Sequence, residues 1–137
     1  MTRFIRPLLA ATLLFVSAQA QAGELEDRAS KVLAEAIQVA QKGDLDTWIK
    51  KFCDPERCHT ALSKDSWKAY QLKQLAQNGK HCVEGDKVEV VRWRGALGED
   101  PNKAKAYIKC SNRQLPPPVE FRYDKAADKI YIRNTSI

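Results

Sequence analysis

"VEFRYDKAADKIYIRNTS", Val119 to Ser136, alternates apolar and polar side chains on both sides of a short break. Val119, Phe121 and Tyr123 share one face of the first half, and Ile130 and Ile132 share one face of the second. Successive side chains of a strand point to opposite faces, so this period of two predicts two strands, Val119–Asp124 and Lys129–Ser136, reversed through a tight "KAAD" turn.

Upstream, "KAKAYIKCS" (Lys103–Ser111) and "KVEVVRWRG" (Lys87–Gly95) carry the same period. "ALGEDPN" supplies a loose hairpin turn, and "NRQLPPP" is too rich in proline to continue a ladder. In the first of these four strands Val88 and Val90 share a face with Arg92 and Arg94, while Val91 and Trp93 share the other; a bulge near Val90 and Val91 reconciles them.

Before Cys82 the spacing changes to three and four. Leu25, Ala29, Val32, Leu33, Ala36, Ile37 and Ala40 trace an amphipathic helix over Glu24–Lys42. Gly43 stops it, and Asp44 can cap a short second helix with Leu45, Trp48, Ile49 and Phe52 on one side, ended by Pro55. A third helix is predicted from Ser63 or Asp65 to Gln77, with Trp67, Tyr70 or Gln71, Leu72, Leu75 and Ala76 inward; "NGK" at Asn78–Lys80 breaks it.

Helices first and strands last describe an α+β domain, three N-terminal helices on one face of a four-stranded antiparallel sheet. Its inner set is Ala104, Ala106, Ile108, Cys110, Val119, Phe121, Tyr123, Ile130 and Ile132. Its outer set is Lys105, Tyr107, Lys109, Glu120, Arg122, Tyr131 and Arg133. Trp48 and Trp67 fall on apolar helix sides and read as core; Trp93 fits either a core or a platform role.

The order of a long first helix, a "KGDLDTWIKKF" junction, a third helix and a meander ending "FRYDKAADKIYIRNTSI" resembles the nuclear transport factor 2-like superfamily, and within it the small exported bacterial domains of unknown function. The resemblance implies a curved sheet and helices around a conical pocket, used by some members for catalysis and by others for binding or dimerisation, so a homodimer is one of the partners it allows. The related cystatin-like arrangement has one major helix, and three helical segments favour the former. Catalytic members place acids or histidines on the inner sheet face; here that face carries Ala, Ile, Val, Phe and Cys, which argues against an enzyme.

The chain opens "MTRFIRPLLAATLLFVSAQAQAGELED". Two arginines, an apolar run from Leu8 to Val16 and a small-x-small ending predict a secretory signal peptide over residues 1–22, cleaved after Ala20 or Ala22, and a single domain over 23–137. The run is about half of the roughly 20 residues a membrane span needs, and with the first cysteine at Cys53 no lipid-anchor junction is read. A periplasmic or secreted protein follows. Losing Arg3 and Arg6 lowers the formal charge of +6 by two, a mild basic bias, and export argues against nucleic acid.

Cys53, Cys58, Cys82 and Cys110 allow three pairings, and an even count in an exported chain reads as disulfides. Cys53 with Cys58, closing the loop "DPER", and Cys82 with Cys110 is the favoured set; the others tie the helical half to the sheet. Cys58-His59 and His81-Cys82 raise a zinc site as an alternative, but adjacent residues on a regular element diverge, and oxidation competes for the thiols. No metal site is assigned, and no cofactor.

Among candidates for chemistry, His59 and His81 are the only histidines, and a hydrolase or isomerase would use one of them as its base. Asp54, Glu56, Asp65 and Glu84 read as solvated loop charges. The best binding surface is the outer sheet face, with Arg92, Arg94, Lys105, Tyr107, Lys109, Arg122, Tyr131 and Arg133, suited to anionic groups and to stacking. The sequence thus favours a non-catalytic binding module whose partner is an envelope protein, a glycan or an anionic small molecule. A carrier holding an apolar or anionic ligand between helices and sheet is the first alternative, and the histidine enzyme is the second.

Overall fold

A computed structural model describes residues 23–137 in full and only the backbone of 6–22 before them, so the leader predicted at 1–22 lies outside the fully described residues. The domain is α+β. Helix α1 (Arg6–Gln41) is closed by Gly43 at φ +73°, and Gly43 N–H donates to Ala40 O at 3.0 Å. Asp44 then caps α2 (Leu45–Lys51), its carboxylate accepting from the Thr47 N–H at 3.1 Å and the Thr47 hydroxyl at 2.6 Å.

The third helical segment differs from expectation at both ends and in the middle. It starts earlier, at Ala61 behind a Thr60 cap, as α3 (Ala61–Ser66), widens into a π turn over Trp67–Gln71, and resumes as α4 (Leu72–Asn78). The spacing of its anchors explains the widening. Five residues of regular helix would turn Leu72 about 140° away from Trp67. One i to i+5 turn, with Leu72 N–H bonded to Trp67 O, buries both and leaves Tyr70 exposed.

The sheet is a meander of β3 (Val90–Arg94), β4 (Lys103–Ile108), β5 (Pro118–Asp124) and β6 (Lys129–Thr135), in that spatial order and antiparallel throughout. The single strand read at Lys87–Gly95 is divided. Its first two residues form β2 (Lys87–Val88), which pairs with β1 (Val83–Glu84) around Gly85 at φ +68°, a hairpin the sequence reading missed. Register slips between Val90 and Arg92, the bulge that returns Trp93 to the inner face, where its ring lies 5.9 Å from Phe121.

One hydrophobic cluster joins helices and sheet: Leu33, Ile37, Trp48, Phe52, Trp67 and Leu75 with Ile108, Val119, Phe121 and Ile132. Trp48 sits at its heart, 4.4 Å from Trp67, with its indole N–H donating to Ala36 O at 2.9 Å, so its one polar atom is satisfied inside the core. Two disulfides are present. Cys82–Cys110 fixes the entry to the sheet against the end of β4, and Cys53–Cys58 closes the loop after α2.

Candidate functional site

The chain leaving α2 becomes part of the sheet. Ile132 N–H donates to Phe52 O at 2.7 Å and Asp54 N–H to Ile132 O at 3.1 Å, laying Phe52–Asp54 parallel to β6 and covering that edge. The Cys53–Cys58 loop then folds over the outer face. Asp54, expected to be solvated, is fully buried there. Its Oδ1 accepts from Glu56 N–H at 3.0 Å, and its Oδ2 accepts from Arg122 Nε at 2.9 Å and an Arg133 terminal nitrogen at 2.7 Å. Glu56 pairs with Arg133 at 2.7 Å and lies 3.8 Å from both Arg122 and Lys103, while Arg133 Nε donates to Glu120 at 2.9 Å.

Burial alone would push the Asp54 carboxyl up. Hydrogen bonds from Arg122 and the Glu56 N–H, with the positive charge of Arg122, overcome that and hold it below the usual carboxylate range. A second slip of register, between Glu120 and Phe121 opposite Asn134 and Ile132, leaves Arg133 without a cross-strand partner and turns it toward this cluster.

The structure therefore divides the outer-face residues into two groups. Arg122 and Arg133 are neutralised by Asp54, Glu56 and Glu120, and Lys109 lies 3.4 Å from Glu89. Tyr131, expected at the surface, is buried, with the Arg122 guanidinium 5.4 Å and Lys129 Nζ 5.7 Å from its ring. The other group lies on β3 and β4. Among the described residues Arg92, Arg94 and Lys105 form no ion pair, and Arg92 stacks at 4.1 Å on Tyr107. Arg94 stands directly opposite Lys105. Like charges in that position are unfavourable by a few tenths of a kcal/mol or more. An open cleft of about 540 Å³, lined by Arg94, Gly95, Lys103, Lys105 and Glu120, lies over the pair.

One strand along, the same face holds a like-charged pair in a different state. Lys103 is directly opposite Arg122, and there the Glu56 carboxylate sits 3.8 Å from both. The molecule thus contains an example of what its cationic face accepts: a carboxylate on a neighbouring chain segment.

The histidines are not brought to this site. His59 lines a separate open cleft with Asp46, Lys50, Lys64 and Pro55, and His81 follows α4 beside Cys82. Both are exposed, and neither side chain is hydrogen-bonded among the described residues. Since all four cysteines are in disulfides, the thiolates a zinc site would need are consumed. Among the described residues no helix is long and apolar enough to cross a membrane. Comparison with family models, curated proteins and solved structures returned no match.

Sequence reasoning missed the Asp54 cluster because a short polar loop rich in charge resembles any exposed turn. The available signal was the pairing of a cysteine-closed "CDPERC" with two arginines on the polar face of the last two strands.

Proposed function

We propose that this chain is a non-catalytic, extracytoplasmic binding module that takes a carboxylate-bearing partner on the outer face of β3 and β4, through Arg92, Arg94 and Lys105. Two disulfides support a life outside the reducing cytoplasm, and the leader-like composition of residues 1–22 supports the periplasm or the exterior as the destination. The helices-then-meander order supports a nuclear transport factor 2-like arrangement.

The carrying observation is the contrast between two like-charged cross-strand pairs. Lys103 and Arg122 share the Glu56 carboxylate; Arg94 and Lys105 face each other without an ion pair, because the acid opposite Lys105 on β5, Glu120, is taken by Arg133. A bound carboxylate there would relieve the repulsion and make charge-assisted hydrogen bonds to at least one guanidinium, about twice as strong as neutral ones. Exposure of both side chains keeps the gain modest and salt-dependent. Citrate titrated into the disulfide-intact protein should move the NMR signals of Arg92, Arg94 and Lys105 together, saturably and less at high salt. Unmoved signals at those three positions would remove the reading.

A further inference from the structure

The two outer edges of the sheet are treated differently. At β6 the chain closes its own edge with Phe52–Asp54. At the other end, Ser30 of α1 covers the edge only at Val88 of β2, just before β3, its hydroxyl donating to Val88 O at 2.5 Å and accepting from Val88 N–H at 3.2 Å. Beyond Val88 that side of the strand has no partner among the described residues, since β3 pairs only with β4. An edge strand directs alternate N–H and C=O groups outward, where another strand can take them up.

We infer that the free edge of β3 is the seat of the partner, an extended polypeptide segment that adds as a fifth strand and alternates acidic with apolar or basic side chains. This inference rests on the carboxylate-binding reading above and names the chemistry and conformation of what is bound. Side chains of an added strand alternate between the two faces. On the outer face they meet Arg92 and Arg94, which demand acids. On the inner face they enter an open cleft of about 500 Å³ between α1 and the strand, where Glu26, Asp27, Glu84 and Glu89 outnumber one lysine, Lys87, beside Val90 and Trp93. Those walls repel a second row of acids and accept apolar or basic groups. Val91, 55 % exposed on the bulge, adds apolar surface beside this edge.

The same charges argue against a second copy of this chain as the occupant. In an antiparallel β3–β3 pair Arg92 and Arg94 of one copy would meet those of the other, the like-charge juxtaposition by which natural edges avoid pairing with themselves. An acidic strand converts that repulsion into attraction.

The test uses the full disulfide-intact chain and a short synthetic peptide alternating glutamate with valine and threonine, measured by calorimetry at low and physiological salt. Two further peptides carry N-methyl groups on one or the other set of alternate backbone nitrogens, so that each can donate from only one edge. The inference predicts that the parent binds, that one methylated peptide loses at least about tenfold while the other keeps its affinity, and that polyglutamate binds more weakly than the alternating sequence. Equal binding by both methylated forms overturns strand addition and leaves the carboxylate reading standing. Binding of citrate without binding of any peptide has the same meaning. Failure of citrate and peptides alike removes both. A concentration-dependent dimer abolished by Val91→Pro, with the monomer's fold retained by circular dichroism, would assign the edge to a second copy and overturn the inference.

Discussion

Arg133 donates to Asp54 at 2.7 Å across 79 residues of sequence, joining the loop after α2 to the last strand of the sheet. The contact is buried on the acid's side, with Asp54 at 0 % and the Arg133 side chain at 14 % exposure. It makes the Cys53–Cys58 loop part of the sheet's outer layer and sets the pattern of free and neutralised cations on that face.

Removing the acid should therefore cost far more than a loop substitution does. Breaking a buried pair by deleting one partner typically destabilises by about 3 to 5 kcal/mol, because the remaining charges lose their counter-ion. Arg133 keeps Glu56 and Glu120, so we expect Asp54→Ala at the lower end of that range, about 3 kcal/mol in urea unfolding, against about 0.5 kcal/mol for Asp65→Ala, an exposed acid on α3. Equal losses at the two positions would contradict the burial argument.

The same carboxylate gives the fold an acid-sensitive component. Its folded pKa lies below its ordinary value, so its contribution is fully present above the unfolded value of about 3.9 and is lost as pH falls through the folded one. Asp54→Asn should flatten the decline of stability below about pH 4 relative to the wild type. Parallel pH profiles for the two proteins would speak against it.

The two disulfides should differ in weight. On the chain-entropy model, closing 28 residues with Cys82–Cys110 contributes about 3.5 kcal/mol, and closing five with Cys53–Cys58 about 2 kcal/mol. The smaller loop also holds Asp54 in place, so Cys53→Ser/Cys58→Ser should lose most of the acid-sensitive component as well. Thermal unfolding at pH 7 and well below pH 4, where the Asp54 contribution is lost, separates these effects. A Cys82→Ser/Cys110→Ser protein that shows the smaller loss at pH 7 would contradict the ordering.

At the end of α4, Gly79 allows a close approach to α1. A Cβ built there would stand 2.7 Å from Ile37 Cγ2 and 2.9 Å from Cγ1, both on a fully buried side chain. Gly79→Ala should cost about 1 to 3 kcal/mol by overpacking. In the double variant with Ile37→Ala the two losses should sum to more than the measured total, and simple additivity would show that the clash is not the cause.

The sequence was informative wherever one face of an element is apolar. Val119, Phe121, Tyr123, Ile130 and Ile132 alternate as a one-sided sheet requires, and all five are buried. It was less informative where burial depends on remote partners. Asp54 is interred by arginines 68 and 79 residues away, and Tyr131 is covered by Arg122 and Lys129, relations invisible to local periodicity. The π turn was half legible: placing both Trp67 and Leu72 inward already asked more of a regular helix than its geometry allows. Ser30 had no signal, because one serine on an apolar helix face does not reveal that it satisfies the edge of a strand 58 residues away.

The central claim is that Arg94 and Lys105 form a carboxylate site that the fold leaves unneutralised. Its most direct test is citrate binding by the wild type and by Arg94→Gln/Lys105→Gln, which removes both charges and adds no new like-charged pair, measured side by side at low salt with thermal stability as a control for folding. The account predicts saturable binding by the wild type, lost by at least about tenfold in the double variant at unchanged or slightly raised stability. Equal affinity in the two proteins, or none in the wild type, would contradict it.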